Sequence, residues 1–236
     1  MLIKEKRIPL IFVSSKTSDE IEYLHKIMAM DPMPYIFENG SAIQVPGSYF
    51  PDYPQKRIIN FGIPYNEIVK FVKDISIRYG YNIKGYHNIS DNVLESLTGL
   101  SGERLERSKN RLYSLPLLKN EETERILATA IVGKRLKLLH GGRFLHLLAD
   151  TDKGKAIKVL KHQYEDDSSL TVGLGDSSND LEMLKSVDIP VLIRKHDGSC
   201  DQSVQVPNMR VSRLSGPCGW NECIIEIIKG ERISYG

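Results

Sequence analysis

Short apolar runs alternate with amphipathic segments along this chain, and that pattern predicts a protein of the α/β class. The apolar run 8–13 predicts a buried strand, and a hydroxyl-rich turn leads from it into a helix that Thr17 or Ser18 can cap. Further apolar runs predict a strand at 35–37 and a hairpin return at 42–45. Units of this kind place polar atoms at the carboxyl ends of strands, where open α/β sheets bind ligands.

The pattern changes near residue 57, where strands and helices become mixed without the regular strand–turn–helix order. After Pro64, apolar residues recur at the 3.6-residue period and predict a helix. The other predicted elements of this part are strands at 57–61, 81–86, 113–118, 135–140 and 143–148 and helices at 91–98, 102–109 and 121–132. We therefore expect a compact α+β insertion over about 57–147.

The C-terminal part of the chain returns to an α/β pattern. A helix is predicted from Asp152, and strands are predicted at 187–193 and 209–214. The segment 215–222, SGPCGWNE, is rich in turn residues and predicts a turn into a final helix at 223–229.

The segment 170–184, LTVGLGDSSNDLEML, carries the clearest chemical signal of the sequence. Its apolar run ends at a glycine and predicts a buried strand, a tight turn and the start of a helix. Asp176 and Asp180 lie four positions apart with Asn179 beside the second, so their oxygens cluster at the carboxyl end of that strand. Mg²⁺ prefers oxygen ligands. The alternative is a turn in which Asn179 or Asp180 caps the next helix, and we favour the metal site.

Composition excludes several classes of function. The chain has 236 residues, 41% of them apolar, which is enough for a full core in one or two domains. The net charge of +2 comes from interspersed acids and bases, so we expect neither a nucleic-acid nor a membrane surface. Three cysteines without a CxxC spacing argue against a disulfide framework or a zinc site. With no signal-peptide pattern at the N-terminus, we expect a cytoplasmic protein.

Four further residues lie where they could take part in chemistry, although each has an ordinary structural alternative. Ser14 follows a predicted strand and could hold a phosphate oxygen or cap a helix. Lys153 begins a helix and could neutralise a phosphate or simply be solvated. Arg143 follows two glycines and could bind a carboxylate or phosphate through both of its terminal nitrogens. His146 lies inside an apolar strand, and we expect it to be a packed core residue.

Along the chain, the Ser14 hydroxyl is followed by the insertion, then by Lys153 and then by the GDxxND motif. This order resembles that of the second, third and fourth motifs of the haloacid dehalogenase (HAD) superfamily. Within that superfamily, the chain most closely resembles the mannosyl-3-phosphoglycerate phosphatase family. The resemblance runs over 8–222 and lies in the motifs SSKTSDEIEYL, IFENGSAI, GGRFLHL with DKGKA, GLGDSSNDLEML and RLSGPCGWNE. The resemblance implies a HAD-like Rossmann core, a three-layer α/β/α fold around a parallel sheet, with an inserted C2-type α+β cap domain. We expect the core at 1–56 and 148–236 and the cap at 57–147.

The resemblance also implies an activity and a set of site residues. The activity is Mg²⁺-dependent hydrolysis of mannosyl-3-phosphoglycerate or glucosyl-3-phosphoglycerate to the glycosylglycerate, a compatible solute. Ser14 would bind the transferring phosphoryl group, and Lys153 would balance its charge. Asp176 would bind the metal directly, with Asn179 and Asp180 supporting it or a bound water. The residues expected to face the substrate are Ser15, Lys16, Glu38, Asn39, Gly40 and Arg143.

The first motif of the family, DxDGT, carries an aspartate nucleophile and an aspartate acid/base, and no aspartate precedes Asp19 in this sequence. We expect the chain to be an N-terminally truncated or mis-started form of a working phosphatase, shorter by about one βα unit of ~30 residues. Two other interpretations stay open. The chain could be a catalytically inactive sugar-phosphate-binding or regulatory module, or Asp150 or another chain could supply a nucleophile. Because Lys153 follows LLADTD at 147–152, we expect Asp152 to cap a helix instead.

The choice of substrate also stays open, because the cap sets it and its shape does not follow from the sequence. The alternative within enzymes is a phosphatase for another small sugar phosphate. We expect a monomer or homodimer whose partner is a small phosphorylated sugar-glycerate, with neither nucleic acid nor a membrane as a partner.

Overall fold

The structure is a computed structural model of the chain that describes residues 2–164 and 170–230. It divides into two compact units, Ile11–Thr151 and Met1–Leu10 with Asp152–Gly236. No helix within the described ranges is both long enough and apolar enough to span a bilayer. The expected limits of core and cap remain a prediction.

The helices of the described chain are α1 (Leu2–Glu5), α2 (Ser18–Ile27), α3 (Tyr65–Tyr79), α4 (Asp91–Thr98), α5 (Glu103–Lys109), α6 (Glu121–Ala130), α7 (Lys153–His162), α8 (Leu181–Leu184) and α9 (Gly216–Lys229). The strands are β1 (Tyr35–Phe37), β2 (Ala42–Val45), β3 (Arg57–Asn60), β4 (Ser114–Leu118), β5 (Leu136–His140), β6 (Phe144–Ala149), β7 (Val172–Gly175), β8 (Ile189–Arg194) and β9 (Arg210–Ser215). Most of the predicted elements are confirmed to within a few residues.

The first sheet of the unit Ile11–Thr151 has the order β1-β2-β3 and is antiparallel throughout. The predicted strand at 8–13 is wrong in extent, because only Val13 forms a bridge there, parallel to Ile36 of β1. Two backbone hydrogen bonds support this bridge, Ser14 N to Ile36 O at 3.0 Å and Ile36 N to Phe12 O at 2.8 Å. The chain nevertheless runs beside β1 and delivers Ser14 to the end of that strand.

The second sheet of this unit has the order β4-β6-β5, also antiparallel, and the helices α3 and α6 pack on it through a shared apolar core. The strand predicted at 81–86 is wrong, since only Gly85 bridges Leu117. Local acceptors compete with a longer ladder: Ser76 Oγ accepts from Ile83 N and Asn88 Oδ1 accepts from Gly85 N.

The second unit contains a parallel sheet of order β7-β8-β9; the apolar runs of the C-terminal part predict its strands, and the family resemblance implies their parallel arrangement. Helix α9 packs on β8 and β9. The turn predicted at 215–222 is wrong, because α9 already begins at Gly216. Pro217 suits the first turn of a helix, where its missing N–H costs no hydrogen bond. Gly219 is required because a Cβ there would collide with the carbonyl of Leu214.

Candidate functional site

The loop that follows β7 gathers four polar side chains of the GDSSND segment. The backbone N–H of Asp176 donates to Asp180 Oδ2 at 3.1 Å, which closes the loop on itself. The Ser177 hydroxyl lies 3.1 Å from Asp176 Oδ1, 2.7 Å from Asn179 Oδ1 and 3.4 Å from Asp180 Oδ2. The sequence therefore brings its three expected metal-site residues around one hydroxyl, at the carboxyl end of a parallel strand.

A buried ion pair joins this loop to the start of α7. Lys153 Nζ donates to Asp180 Oδ1 at 2.5 Å, and the two side chains are only 5% and 10% exposed. Asp152 caps α7 by accepting from Lys155 N at 2.8 Å, as expected from the sequence. Breaking a pair at this depth leaves an uncompensated charge, which in other proteins costs about 3–5 kcal/mol. The pair therefore fixes Lys153 beside the loop and occupies one carboxylate oxygen of Asp180.

Two glycines permit this close arrangement. A Cβ on Gly175 would lie 2.5 Å from Asp180 Cβ and 2.9 Å from Asp180 Oδ2, so any larger residue would displace the carboxylate. A Cβ on Gly154 would collide with the carbonyl of Glu182, where α7 approaches α8. The hydrogen at Gly175 therefore lets Asp180 approach the end of β7, and the hydrogen at Gly154 lets α7 approach α8.

The carboxylate and amide oxygens of this loop could serve as part of a ligand set for Mg²⁺. No three His, Cys, Asp or Glu side chains come together as a metal cluster in the described parts of the chain. Mg²⁺ is commonly held by one or two carboxylates together with waters and substrate phosphate oxygens. Asp176 is exposed and Asn179 is half-buried, so both can offer oxygens, whereas Asp180 is already engaged with Lys153 and the Asp176 backbone N–H.

The segment Ser14–Thr17, in the other unit, forms a tightly bonded loop before α2. Lys16 N donates to Ser14 Oγ at 3.2 Å, a local turn of the kind that hydroxyl residues favour. Thr17 caps α2 in a capping box with Glu20: the Glu20 N–H donates to the Thr17 hydroxyl, and Glu20 Oε2 accepts from Thr17 N at 3.0 Å. Ser14 and Ser15 are half-buried and Lys16 is exposed. The hydroxyl and amide groups of the loop therefore lie on a rigid element.

The Glu38-Asn39-Gly40 turn pairs with this loop through its backbone. Glu38 N donates to Lys16 O and Asn39 N to Ser14 O, both at 2.9 Å. The three residues have φ angles of 47°, 60° and 89°, a left-handed run that costs a non-glycine residue roughly 1–2 kcal/mol. Strain of this kind persists only where surrounding contacts impose it.

The side chains of Glu38 and Asn39 differ in how they are satisfied. The Glu38 carboxylate is fully buried and accepts hydrogen bonds from Leu112 N at 2.7 Å, Tyr113 N at 3.1 Å and Ser114 Oγ at 2.6 Å. Burial raises the pKa of Tyr113, and the nearby Glu38 charge adds to this effect. The Asn39 amide is 1% exposed, and neither its oxygen nor its nitrogen has a partner among the described residues. Glu38 therefore orders the turn, while Asn39 keeps unused hydrogen-bonding capacity.

Three further candidates, Lys16, Arg143 and Asp150, are exposed at the surface. Lys16 Nζ pairs with Glu20 at 2.8 Å, and Arg143 is exposed and donates to Thr98 O at 2.8 Å. Asp150 is exposed directly after β6. The substrate contacts of Lys16, Glu38 and Arg143 accordingly remain predictions. His146 is buried within β6, as expected.

Sequence reasoning missed Arg111 and Ser114. Arg111 is 8% exposed and donates to the Ser15 carbonyl, while Ser114 binds Glu38. Both contacts join residues more than 70 positions apart, and an arginine before an apolar strand gives no local signal. Ser177 was missed as well, although it lies inside the GDSSND motif that the sequence analysis singled out.

Comparison with known proteins agrees with the motifs. The family model of haloacid dehalogenase-like hydrolases matches residues 2–197. The "Glucosyl-3-phosphoglycerate/mannosyl-3-phosphoglycerate phosphatase" of Methanococcoides burtonii is 36% identical to this chain, over 96% of the chain and 87% of the relative. The protein of the same name from Persephonella marina is 35% identical, again over 96% and 87%.

Among solved structures, SMU.1108c from Streptococcus mutans is similar to this chain with a TM-score of 0.68 and 18% identity, covering 97% of this chain and 88% of that one. The match to the haloacid dehalogenase-like hydrolase model and this structural similarity together confirm the expected HAD-like α/β fold. The family match and the two relatives show that the chain belongs to the haloacid dehalogenase-like hydrolases and, within them, to the mannosyl-3-phosphoglycerate phosphatase family.

Proposed function

We propose that this protein hydrolyses the phosphomonoester of mannosyl-3-phosphoglycerate or glucosyl-3-phosphoglycerate with Mg²⁺ as its cofactor. The observation that carries the proposal is the loop at the end of β7, where Asp176 and Asn179 offer oxygens beside a buried lysine. The two relatives named for this activity extend over 96% of the chain, which supports the choice of substrate.

The residues of the chain have distinct tasks in this proposal. Asp176 and Asn179 would hold Mg²⁺, which would supply positive charge against the phosphoryl oxygens. Lys153 adds a fixed positive charge, and Asp180 orients it through their 2.5 Å contact. The Ser14 hydroxyl donates to a phosphoryl oxygen. A buried ammonium and fixed donors are effective here because they need no reorganisation as charge develops.

The glycosyl-glycerate part of the substrate requires cations and hydrogen-bonding groups. We assign Lys16 and Arg143 to the anionic glycerate, since both carry exposed positive charge. The Asn39 amide offers two N–H donors and an acceptor oxygen that the described chain leaves unused, which suits sugar or glycerate hydroxyls. Glu38 supports substrate binding indirectly by holding the turn in place. Ser15 and Gly40 take part in substrate binding through their backbone groups.

Phosphate release from mannosyl-3-phosphoglycerate and from its glucosyl counterpart tests the proposal. The assay compares the chain as printed with a form that carries an added N-terminal strand ending in DxDGT, each with Mg²⁺ and with EDTA. We expect Mg²⁺-dependent release from at least one of the two forms. Binding of both substrates without release by either form would instead identify a sugar-phosphate-binding module. A faster reaction with an unrelated sugar phosphate would show that the glycerate is not what the enzyme recognises in its substrate.

The cellular setting of the proposal is the cytoplasm, with a monomer or homodimer as the working form. Cys200, Cys218 and Cys223 are free thiols in the structure, which suits a reducing compartment. Fractionation of the native cells tests this location.

A further inference from the structure

Arg111 is a buried guanidinium that the roles assigned above do not use. Its Nη2 donates to the Ser15 carbonyl at 2.6 Å, and its Nε donates to Ser114 Oγ at 3.2 Å. The Glu38 carboxylate lies 3.8 Å from Nε and balances the charge. Burying an arginine is costly unless its donors and charge are matched. Here the matching groups are the Ser15 carbonyl of the candidate phosphate loop, the Glu38 carboxylate of the turn that pairs with it, and the Ser114 hydroxyl at the start of β4.

The backbone of the loop explains what this contact does. A trans peptide is planar, so its carbonyl and its N–H point in opposite directions. In the peptide that joins Ser15 to Lys16, the carbonyl is held by Arg111 and the N–H donates to Ser14 Oγ at 3.2 Å. Arg111 therefore fixes the position of the Ser14 hydroxyl oxygen through a single peptide plane. The Ser14 hydroxyl accepts this bond and donates to no other described residue, so its proton can be donated to an anion.

We propose that Arg111 is a positioning residue for phosphate binding, which holds the Ser14 hydroxyl as a donor to a phosphate oxygen without touching the phosphate itself. The inference rests on the proposed function, since it takes Ser14 as the phosphoryl-binding residue. A lysine cannot replace this arginine, because a single ammonium lacks the planar fork that reaches the Ser15 carbonyl and Ser114 together.

A double-mutant cycle with inorganic phosphate as the probe tests the proposal. The dissociation constant is measured calorimetrically in the presence of MgCl₂ for the wild-type chain, Arg111→Lys, Ser14→Ala and the double variant. We expect each single variant to bind phosphate about tenfold more weakly, the loss typical of one hydrogen bond to a charged group. The double variant should also bind about tenfold more weakly, because both changes remove the same donor.

The controls separate positioning from a general effect on folding. Arg125→Lys changes an exposed arginine whose partner is Glu122, and it should leave phosphate affinity unchanged. Amide hydrogen exchange of Lys16 should become faster in Arg111→Lys and stay at the wild-type rate in Arg125→Lys. If Arg111→Lys does not fold, Ser114→Ala removes the support of Nε and should weaken phosphate binding about threefold through the same loss of order.

The outcomes distinguish this inference from the proposed function. Normal phosphate affinity in Arg111→Lys, with weak binding in Ser14→Ala, would overturn the role of Arg111 and leave the proposed function intact. Additive losses, about 100-fold in the double variant, would also overturn it, because independent sites add. Equal affinity in the wild-type chain and Ser14→Ala would reject Ser14 as the phosphoryl-binding residue, and the Arg111 inference with it.

Discussion

Replacing Gly175 by alanine should disrupt the loop after β7 through a single steric contact. The added Cβ would lie 2.5 Å from Asp180 Cβ and 2.8 Å from its Cγ, whereas carbon atoms in contact are comfortable at about 3.5–4.0 Å. Asp180 must therefore retreat by about 1 Å, which lengthens its contacts with Lys153 Nζ and the Asp176 N–H. Overpacking of this kind costs about 1–3 kcal/mol. A loss near 2 kcal/mol corresponds to a fall in Tm of about 4–8 °C for a chain of this size.

Differential scanning calorimetry and phosphate release measure the two effects of Gly175→Ala. The matched control is Gly142→Ala, because a Cβ on Gly142 meets no atom within 4 Å. We expect the control to keep its Tm within about 1 °C, as surface substitutions usually do. The activity of Gly175→Ala should fall by at least tenfold, since a 1 Å displacement of a catalytic group is costly. A Tm and an activity equal to those of the control would refute the reasoning.

Three further predictions concern separate parts of the chain. Glu38→Gln should destabilise the protein by about 1–3 kcal/mol in urea unfolding, because an amide nitrogen would face donors that now meet a carboxylate, and an unchanged midpoint would contradict this. The side-chain and backbone hydrogen bonds of Thr171 hold the pKa of Asp188 at about 2, so the stability it contributes, about 1 kcal/mol after solvent screening, is present above pH 4 and lost as the pH falls towards 2. Asp188→Asn should flatten the Tm profile in that window, and parallel profiles would argue against this origin. Burial raises the pKa of Cys223 to about 11, so iodoacetamide at pH 8 should alkylate exposed Cys218 and spare Cys223 in mass spectra of the native protein, whereas equal labelling of both would show that Cys223 is accessible.

Local chemistry made much of the fold and site predictable. The caps at Thr17 and Asp152, the helix after Pro64 and the strand before GDSSND follow from spacing within a few residues, and the structure confirms them. The same is true of the oxygen cluster after β7, because its members share one turn of chain.

The features that escaped prediction depend on contacts between distant residues. The hydrogen bonds that the Glu38 carboxylate accepts could not be predicted, because the amides that donate them lie 74 and 75 positions away, and its expected substrate contact stays a prediction. No local pattern around Arg111 indicates its contact with the Ser15 carbonyl, which lies 96 positions away in the sequence. The segment 81–86 has the composition of a strand, yet two of its backbone N–H groups donate to nearby side chains instead of to a neighbouring strand. The pattern of apolar and polar positions could not decide among these competing hydrogen-bond partners, because the energy of each contact depends on the geometry of the folded chain.

The Glu38 carboxylate also has a consequence for how the sequence can change over time. It binds the amides of Leu112 and Tyr113 and the hydroxyl of Ser114, where the chain enters β4. Gaining or losing one residue at this place would shift β4 by one position, and the period of two would turn its apolar face away from the core. We therefore expect insertions and deletions to accumulate among relatives in the exposed connections around Gly99–Gly102, and to be absent between Arg111 and Ser114.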